Sequence, residues 1–495
     1  MKLLVKLLLG LVLLVVITIG ALAITIAYLD PNDYKDLIAD KVREETGRSL
    51  TIDGNISLTY YPWLGLEVEG LSLSNAPGFG DQPMLQTDTF KARAKLLPLL
   101  RKELEMDTLV LHGATINLAR NEKGVSNWDD LTSGEKKESG GMPFAALVLG
   151  GIDIQNVNLS WQDKQQDVSY SIKNAHISTG ELKLAEPIAI KAGMQLSASK
   201  PALSSDMTFN GTVAYDDQGE QLTLKPMSLQ AVVKGDSVPG GEAPISLDAE
   251  ISVDASKEIA RIETLTFTAF DTVVKGQLQA SDYASGKPEV QGEIDIAGQN
   301  LPQLFKVLEI EPLASQLAGL PQKSFSIKTV FDADLKRNDI DIKPLQMDVL
   351  GNTVNAEIHA RNIQSDTPAA KGKINANGPN LPVLITIASQ LRGDSKEKTT
   401  ALSEQLKASP AAFSIETDFD IDLDAGTANI PALSVNALGI QTSGNVNGNK
   451  LETNSPELSG GLKVSGDDFP QLVSVAASFA GDGSQDLGFL KKQLS

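Results

Sequence analysis

The residue types that most often carry chemistry are few and scattered in this sequence. His112, His176 and His359 stand far apart, each inside a segment with strand-like alternation. Joint metal ligation would need distant strands to converge and to add carboxylates. Cysteine is absent, which removes thiolate nucleophiles, disulfides and Cys-based zinc sites together. No Gly-x-Ser-x-Gly elbow or Walker loop stands out. Asp418, Asp420, Asp422 and Asp424 alternate along one strand-like run. That spacing puts all four on one face of a strand, a solvated outer face rather than the looped geometry that calcium uses. Carboxylate pairs recur for the same reason, so none singles out an acid–base couple. The chain reads as having no catalytic residues, no metal site and no cofactor; it is not expected to be an enzyme.

The totals narrow the classes further. The sequence has 495 residues and a formal net charge of −20, from 63 acidic against 43 basic residues. An acid excess argues against nucleic acid, and against a polybasic surface for anionic lipid. Its simplest use is solubility. Aromatic residues are only 5%, too few for stacking platforms along bases or sugars.

With reactive groups set aside, the elements carry the argument. Leu7 to Leu29 contains no charge. As a helix it would be roughly 34 Å long, enough to cross a hydrocarbon core of about 30 Å. Lys2 and Lys6 precede it, so residues 1–6 are expected in the cytoplasm and the bulk of the chain on the far side. The rival reading is a cleaved signal peptide, with Ala21-Leu22-Ala23 as the small-x-small site; the apolar run continues past that site to Leu29, which favours an uncut anchor. Asp30-Pro31-Asn32-Asp33 then opens a helix, and Tyr34, Leu37, Ile38 and Val42 recur at helical spacing until Gly47. Residues 30–48 are read as an amphipathic helix leaving the membrane.

From Leu50 the period becomes two. Leu50 to Leu58, Leu64 to Leu73, Leu109 to Leu111, Ile116 to Leu118 and Ile152 to Leu159 alternate apolar with polar residues. A short turn is expected around Leu96 to Leu104. Asp129 to Gly141 is polar and Gly-rich and is read as a loop.

A series of local motifs resembles the AsmA family, inner-membrane-anchored proteins of Gram-negative bacteria. The motifs run in order: Asp30-Pro31-Asn32-Asp33-Tyr34-Lys35, Thr46-Gly47-Arg48 with Ile52-Asp53-Gly54, and Tyr61-Pro62-Trp63-Leu64-Gly65-Leu66. Then come Ser74-Asn75-Ala76-Pro77-Gly78-Phe79, Leu97-Pro98-Leu99-Leu100, Ile116-Asn117-Leu118, Gly124-Val125-Ser126-Asn127-Trp128 and Trp161-Gln162-Asp163. Together they cover roughly the first 200 residues, and their order is more specific than any single one.

The later region repeats. Phe325-Ser-Ile-Lys-Thr-Val-Phe-Asp-Ala-Asp-Leu335 matches Phe413-Ser-Ile-Glu-Thr-Asp-Phe-Asp-Ile-Asp-Leu423, with a fainter copy from Ile245. These starts are offset by 80 and 88 residues, as are Pro302, Pro382 and Pro470 and the hairpin openings at Leu265, Leu345 and Leu433. Three copies of one unit are expected at 245–324, 325–412 and 413–495, after an N-terminal β region at 49–244. Each copy has four strands and then a short helix entered from Asn300, Asn380 or Asp468 as the cap. The pattern leaves either a further copy after Ser495 or a partner that continues the sheet.

The expected fold is mostly β: a transmembrane helix followed by a long, curled, antiparallel sheet with short helices. One face of every strand is apolar and needs cover. A second sheet would give a packed core. The single-file repeat does not obviously supply one, and the helices look too few, so acyl chains are the other available cover. Ile251, Phe267, Ile327, Phe331, Met347, Ile358, Ile415, Phe419, Val435 and Val446 are the candidate groove residues. The resemblance adds that AsmA-like proteins are similar to bridge-like lipid transfer proteins and are implicated in phospholipid movement to the outer membrane. It implies phospholipid acyl chains and the inner membrane as partners; the repeat pattern adds an outer-membrane or periplasmic protein as a candidate at the C-terminal sheet edge, and the acid excess argues against nucleic acid. The competing expectation is a non-enzymatic periplasmic scaffold for outer-membrane protein assembly, with a fully packed β core.

Overall fold

A computed structural model describes residues 30–101, 103–132, 147–183, 185–391, 404, 406, 410–451 and 455–466. The candidate span Leu7–Leu29 lies outside them. No helix among the described residues is long and apolar enough to cross a membrane. The chain divides into two compact units, the first ending at Asn210 and the second starting at Gly211.

The first unit opens with a 3-10 turn, Pro31–Tyr34, capped by the Asp30 carboxylate, which accepts from the Asn32 amide. The helix α1 (Lys35–Thr46) follows and ends on Gly47, whose φ of 69° is the left-handed geometry that glycine adopts without penalty. None of the α1 residues is buried. Among the described residues the unit's sheet contains β1 (Leu50–Ile52), β2 (Ile56–Thr59), β3 (Trp63–Leu73), β4 (Leu85–Lys95), β5 (Leu104–Met106), β6 (Leu109–His112), β7 (Thr115–Arg120), β8 (Leu147–Leu149), β9 (Ile152–Asp163), β10 (Val168–Thr179) and β11 (Ile188–Ser199). Short helices α2 (Leu96–Leu100) and α3 (Asp129–Thr132) interrupt them.

The purely antiparallel expectation fails here. β5 pairs with β8, and β6 and β7 pair with β9, all in parallel. The physical reason is the length of chain between Arg120 and Ile152, which lets β9 enter in the direction of β6 and β7, where a tight hairpin would force antiparallel pairing. Asp129–Thr132 is helical, although it belongs to the stretch read as a loop; residues 133–141 of that stretch lie outside the described residues.

After β12 (Ala202–Tyr215), the second unit is an antiparallel meander: β13 (Gln221–Gly235), β14 (Glu242–Asp254), β15 (Ile259–Ala269), β16 (Thr272–Ser281), β17 (Glu289–Gly298), β18 (Phe325–Asp334), β19 (Asp339–Val349), β20 (Asn352–Arg361), β21 (Ala369–Gly378), β22 (Phe413–Asp422), β23 (Thr427–Ala437), β24 (Ile440–Asn449) and β25 (Glu457–Gly466). Each strand pairs with the next. Strands β14–β17, β18–β21 and β22–β25 form three groups of four. Within each group the central hairpin turns on two residues of positive φ, Phe270-Asp271, Leu350-Gly351 or Leu438-Gly439. That geometry matches the right-handed twist of paired strands.

The second strand of each group carries an extra residue in its pairing, near Glu263-Thr264, Lys343-Pro344 and Ile430-Pro431. A bulge of this kind bends the strand and sharpens its local twist. Between groups lie α4 (Leu301–Val307), α5 (Glu311–Leu317) and α6 (Leu381–Leu391). The first group therefore has two helices where one was expected. Asn300 Oδ1 accepts from the Gln303 backbone amide at 3.2 Å, and Asn380 Oδ1 from the Val383 backbone amide at 3.3 Å.

Candidate functional site: an apolar sheet face

Register decides which side chains share a face, because residues directly opposite in paired strands point the same way. Starting from Ile327, the pairings of the second unit run without a break in both directions. One way they pass through Ile296, Val274, Phe267, Leu247 and Leu229. The other way they pass through Met347, Val354, Ala376, Ile415, Val435, Thr442 and Val464. This row crosses β13 to β25, and Thr442 is its one polar member.

A second row lies four residues along each strand, or five where the strand carries a bulge. It links Leu224, Ile251, Ile262, Leu278, Gly292, Phe331, Ile342, Ile358, Gly372 and Phe419. Phe419 faces the bulge of β23, beyond which Ile430, Val446 and Gly460 continue the row. All ten candidate residues therefore fall on one face: Phe267, Ile327, Met347, Ile415 and Val435 in the first row, and Ile251, Phe331, Ile358, Phe419 and Val446 in the second.

Among the described residues the cover over this face is partial. The inner sides of α4 and α5 bring Leu301, Phe305, Leu313 and Leu317 onto Phe325 and Val349, with Ile296 and Met347 at the margin. Leu381, Leu384 and Ile385 of α6 pack near Ala376, Phe413, Ala437 and Leu438, with Ile415 and Val435 at the margin. The helices thus sit over the strand ends beside the Asn-Leu-Pro turns. Farther along the strands Ile262, Phe331, Ile342, Ile358 and Phe419 join neither cluster and stay half-buried. All ten candidates are half-buried rather than buried; a sheet clasped over them would exclude water from most of them.

The opposite face is polar. Asp295, Lys328, Gln346, Asn355, Asn375 and Glu416 form one of its rows. Ion pairs such as Lys328–Glu293 at 3.3 Å and Arg361–Asp422 at 3.3 Å lie in solvent and contribute little. A hollow of about 530 Å³ lies over β15 to β19 on this side, lined by Arg261, Glu263, Gln277, Gln279, Glu293 and Asp332 among others. His359 meets Asp341 at 2.6 Å, and in the first unit His112 meets Asp153 at 3.1 Å. Asp153 is held below the usual carboxylate range by the Gln155 amide, with His112 adding to it. Among the described residues no three metal-ligating side chains converge.

The first unit presents its own apolar row, Ile56, Val68, Phe90, Leu111, Ile154, Ile177 and Ala192. Beside it Pro31, Tyr34, Ile38, Ile56, Leu58, Tyr60 and Leu66 line a hollow of about 390 Å³ between the helical entry and the sheet.

Several of the sequence motifs meet in a polar clamp that sequence reasoning had not assigned. The Arg48 side chain is fully buried. Its Nε donates to Asp130 Oδ2 at 3.0 Å, one Nη donates to the Asn127 carbonyl at 2.6 Å and to Asp130 Oδ1, and the other reaches Met84 Sδ at 2.9 Å. Buried Asn127 donates in turn to Asn75 Oδ1 and to the Asn117 carbonyl, both at 2.8 Å. Trp128 stacks obliquely on Trp161, ring centroids 5.2 Å apart. The Arg48 guanidinium holds the Asp130 carboxyl below its ordinary range, chiefly by hydrogen bonding. A bidentate arginine–carboxylate pair of this kind fixes geometry. It ties the C-terminal end of α1 to α3 and is structural rather than reactive. The only hint in the sequence was an arginine placed directly after the glycine that ends a helix.

Residues 1–293, more than half the chain, match the AsmA family. The chain belongs to the AsmA family. Protein AsmA of Escherichia coli (strain K12) is 24% identical over 309 residues, which span 60% of this chain and 48% of that protein. The AsmA-family chain thus matches about half the length of this curated relative. No solved structure matches it.

Proposed function

We propose that this AsmA-family chain carries phospholipids along its apolar sheet face, held at the inner membrane by Leu7–Leu29 with the bulk of the chain in the periplasm, in support of the outer membrane. The observation that carries the reading is the thirteen-strand row through Ile327, apolar at every position except Thr442 and half-buried at every position except buried Ala376 and exposed Val464. Hydrocarbon gains about 0.8 kcal/mol for each methylene removed from water on such a surface. The face has no fixed charge in either row, so head groups can remain in solvent while the tails pass. No covalent step is required, and the protein's part is to give acyl chains a dry track.

The competing scaffold reading draws on the helix-packed strand ends. That packing reaches Phe325, Phe413 and their neighbours and leaves the second row uncovered by either cluster. The test is photo-crosslinking in cells, with the reactive residue placed at Ile327, Phe419 or Val446 and, on the opposite face, at Lys328, Asp420 or Asn447. The first set is expected to capture phospholipid and the second is not. Equal capture by both sets, or none by either, refutes carriage on this face.

A further inference from the structure

The ends of β2, β3 and β4 form one tip of the first unit, and its surface is apolar. Thr59 pairs with Gly65 and Trp63 with Lys95, so the turn Tyr60-Tyr61-Pro62 and the start of α2 leave the sheet side by side. The Leu96 amide donates to the Pro62 carbonyl at 3.0 Å and joins the two turns. The Pro98 carbonyl accepts from the Arg101 and Glu103 amides at 2.8 and 3.0 Å, which fixes the turn that presents the leucines. Tyr61 is 76% exposed and Leu97 58%, with Leu64 and Leu99 exposed beside them. Single exposed apolar side chains are ordinary, whereas a contiguous cluster marks a surface that meets something.

The chemistry of the tip suits phospholipid. Tyr60, Tyr61 and Trp63 place two of the seven tyrosines and one of the three tryptophans within four residues. Such side chains favour the boundary between hydrocarbon and head groups, because each joins an apolar ring to a polar group. Residues 58–66 and 95–102 contain no acid, in a chain of net charge −20; the second run ends on Arg101-Lys102, and Glu103 is the first acid after it. Arg101 is exposed, and Lys95 lies over the Trp63 ring at 5.5 Å. Position points to the same partner. Asp30 directly follows the charge-free run Leu7–Leu29. Asn32 and Ile56 exchange hydrogen bonds at 3.1 and 2.9 Å, and Lys35 Nζ donates to the Gly54 carbonyl at 2.6 Å, which pins this entry against the start of β2. The hollow lined by Pro31, Tyr34, Leu58 and Tyr60 then carries apolar surface from the entry to the tip. α1 leads away from it, since β1 pairs with the far end of β3.

We infer that this tip, Tyr60–Leu64 with Leu96–Leu99, inserts into the head-group layer of the phospholipid bilayer that holds Leu7–Leu29, as a second membrane contact. The inference rests on the anchoring proposed above and not on lipid carriage. Insertion proceeds through apolar and aromatic side chains, so the acid excess elsewhere on the chain does not oppose it. The Leu96–Pro62 hydrogen bond satisfies two backbone groups that would be costly to take out of water unpaired. A single helix crossing fixes the distance of the first unit from the bilayer but not its tilt. A second contact fixes the tilt, and with it the direction in which the unit's sheet leaves the membrane.

The absence of native cysteine allows single labels. Tyr61→Cys and Leu97→Cys, both at exposed sites, carry an environment-sensitive fluorophore on the full chain in phospholipid nanodiscs. Lys123→Cys is the aqueous control: it is exposed on the turn after β7, which pairs with β4 at Leu85, the end opposite the tip. Val15→Cys reads the anchor by itself. The quenchers are phospholipids spin-labelled near the head group or deep in the acyl chain, and iodide in water. The Tyr61 and Leu97 labels are expected to emit at shorter wavelength than the Lys123 label, and to be quenched severalfold more by head-group-labelled phospholipid and less by iodide. Tip labels that behave like the Lys123 label overturn the inference, and a Val15 label quenched by deep-labelled phospholipid in the same preparation shows that the anchor stands without it. Tip labels shielded from iodide yet not quenched by lipid also overturn it, because they assign the cover to protein, either Leu7–Leu29 or a second copy. Tip labels in lipid with the Val15 label in water support the docking surface and overturn the anchor instead.

Discussion

Placing a carboxylate in the second apolar row gives the sharpest test of the carrier reading. Phe331 lies between Gly292 and Ile342, away from the helix-packed clusters. Its neighbour Val330 is 40% exposed on the polar face, so Phe331→Asp and Val330→Asp add the same charge one residue apart on opposite sides. A tail passing one strand spacing of about 4.8 Å lays about four methylenes beside that strand. Each is worth about 0.8 kcal/mol when fully removed from water, and with one side of the tail open to solvent about half of the total, roughly 1.6 kcal/mol, is at stake. A barrier raised by that amount slows passage about 15-fold. The assay is transfer of a fluorescent phospholipid from vesicles holding the full chain to acceptor vesicles, with thermal unfolding of each variant measured alongside. Phe331→Asp should be about 15-fold slow and Val330→Asp near the parent rate. Equal rates for the two variants, with both folded, would refute the argument.

The clamp and the caps give further tests. Asp130→Ala leaves the buried Arg48 guanidinium without its carboxylate and should cost about 3 kcal/mol, read by denaturant unfolding of the first unit. Because Arg48 lowers the Asp130 pKa, the carboxylate's contribution is fully present above the ordinary value of 3.8 and is lost as pH falls through the lower folded value. Fluorescence of Trp128, next to Asn127, should therefore hold steady down to about pH 4 and change below it; a transition centred near pH 6 would contradict the assignment. Asn300→Ala and Asn380→Ala each remove a helix cap and should cost about 1 kcal/mol, again by denaturant unfolding.

The parts of the fold that were legible in the sequence are those governed by local period. A strand's two-residue alternation states its apolar face before any partner is known, and for that reason Ile327 and Phe419 could be nominated together. The caps Asn300 and Asn380 were legible because a capping side chain acts only three residues away. What was missed depends on contacts distant in sequence. Arg48 meets Asn127 and Asp130 across 79 and 82 residues, and no pattern near Arg48 encodes that meeting. The parallel pairing of β6 and β7 with β9 is likewise set by a crossover, since parallel and antiparallel strands can alternate identically. The second helix in the first group, α5, was not legible as a separate element, because the repeat pattern marks only one cap per group. The partial cover of the apolar face followed from neither period nor composition, because it depends on how far α4, α5 and α6 reach over the sheet.

The matched junctions at Gly298–Phe325 and Gly378–Phe413 make the middle group interchangeable with its neighbours. Excising residues 325–412 would bring Gly298 against Phe413, restoring the same glycine–phenylalanine contact and the same strand direction while removing four strand widths, about 19 Å. The span of such a protein can therefore be lengthened or shortened in whole increments by duplication or loss of a copy, with no new interface to evolve.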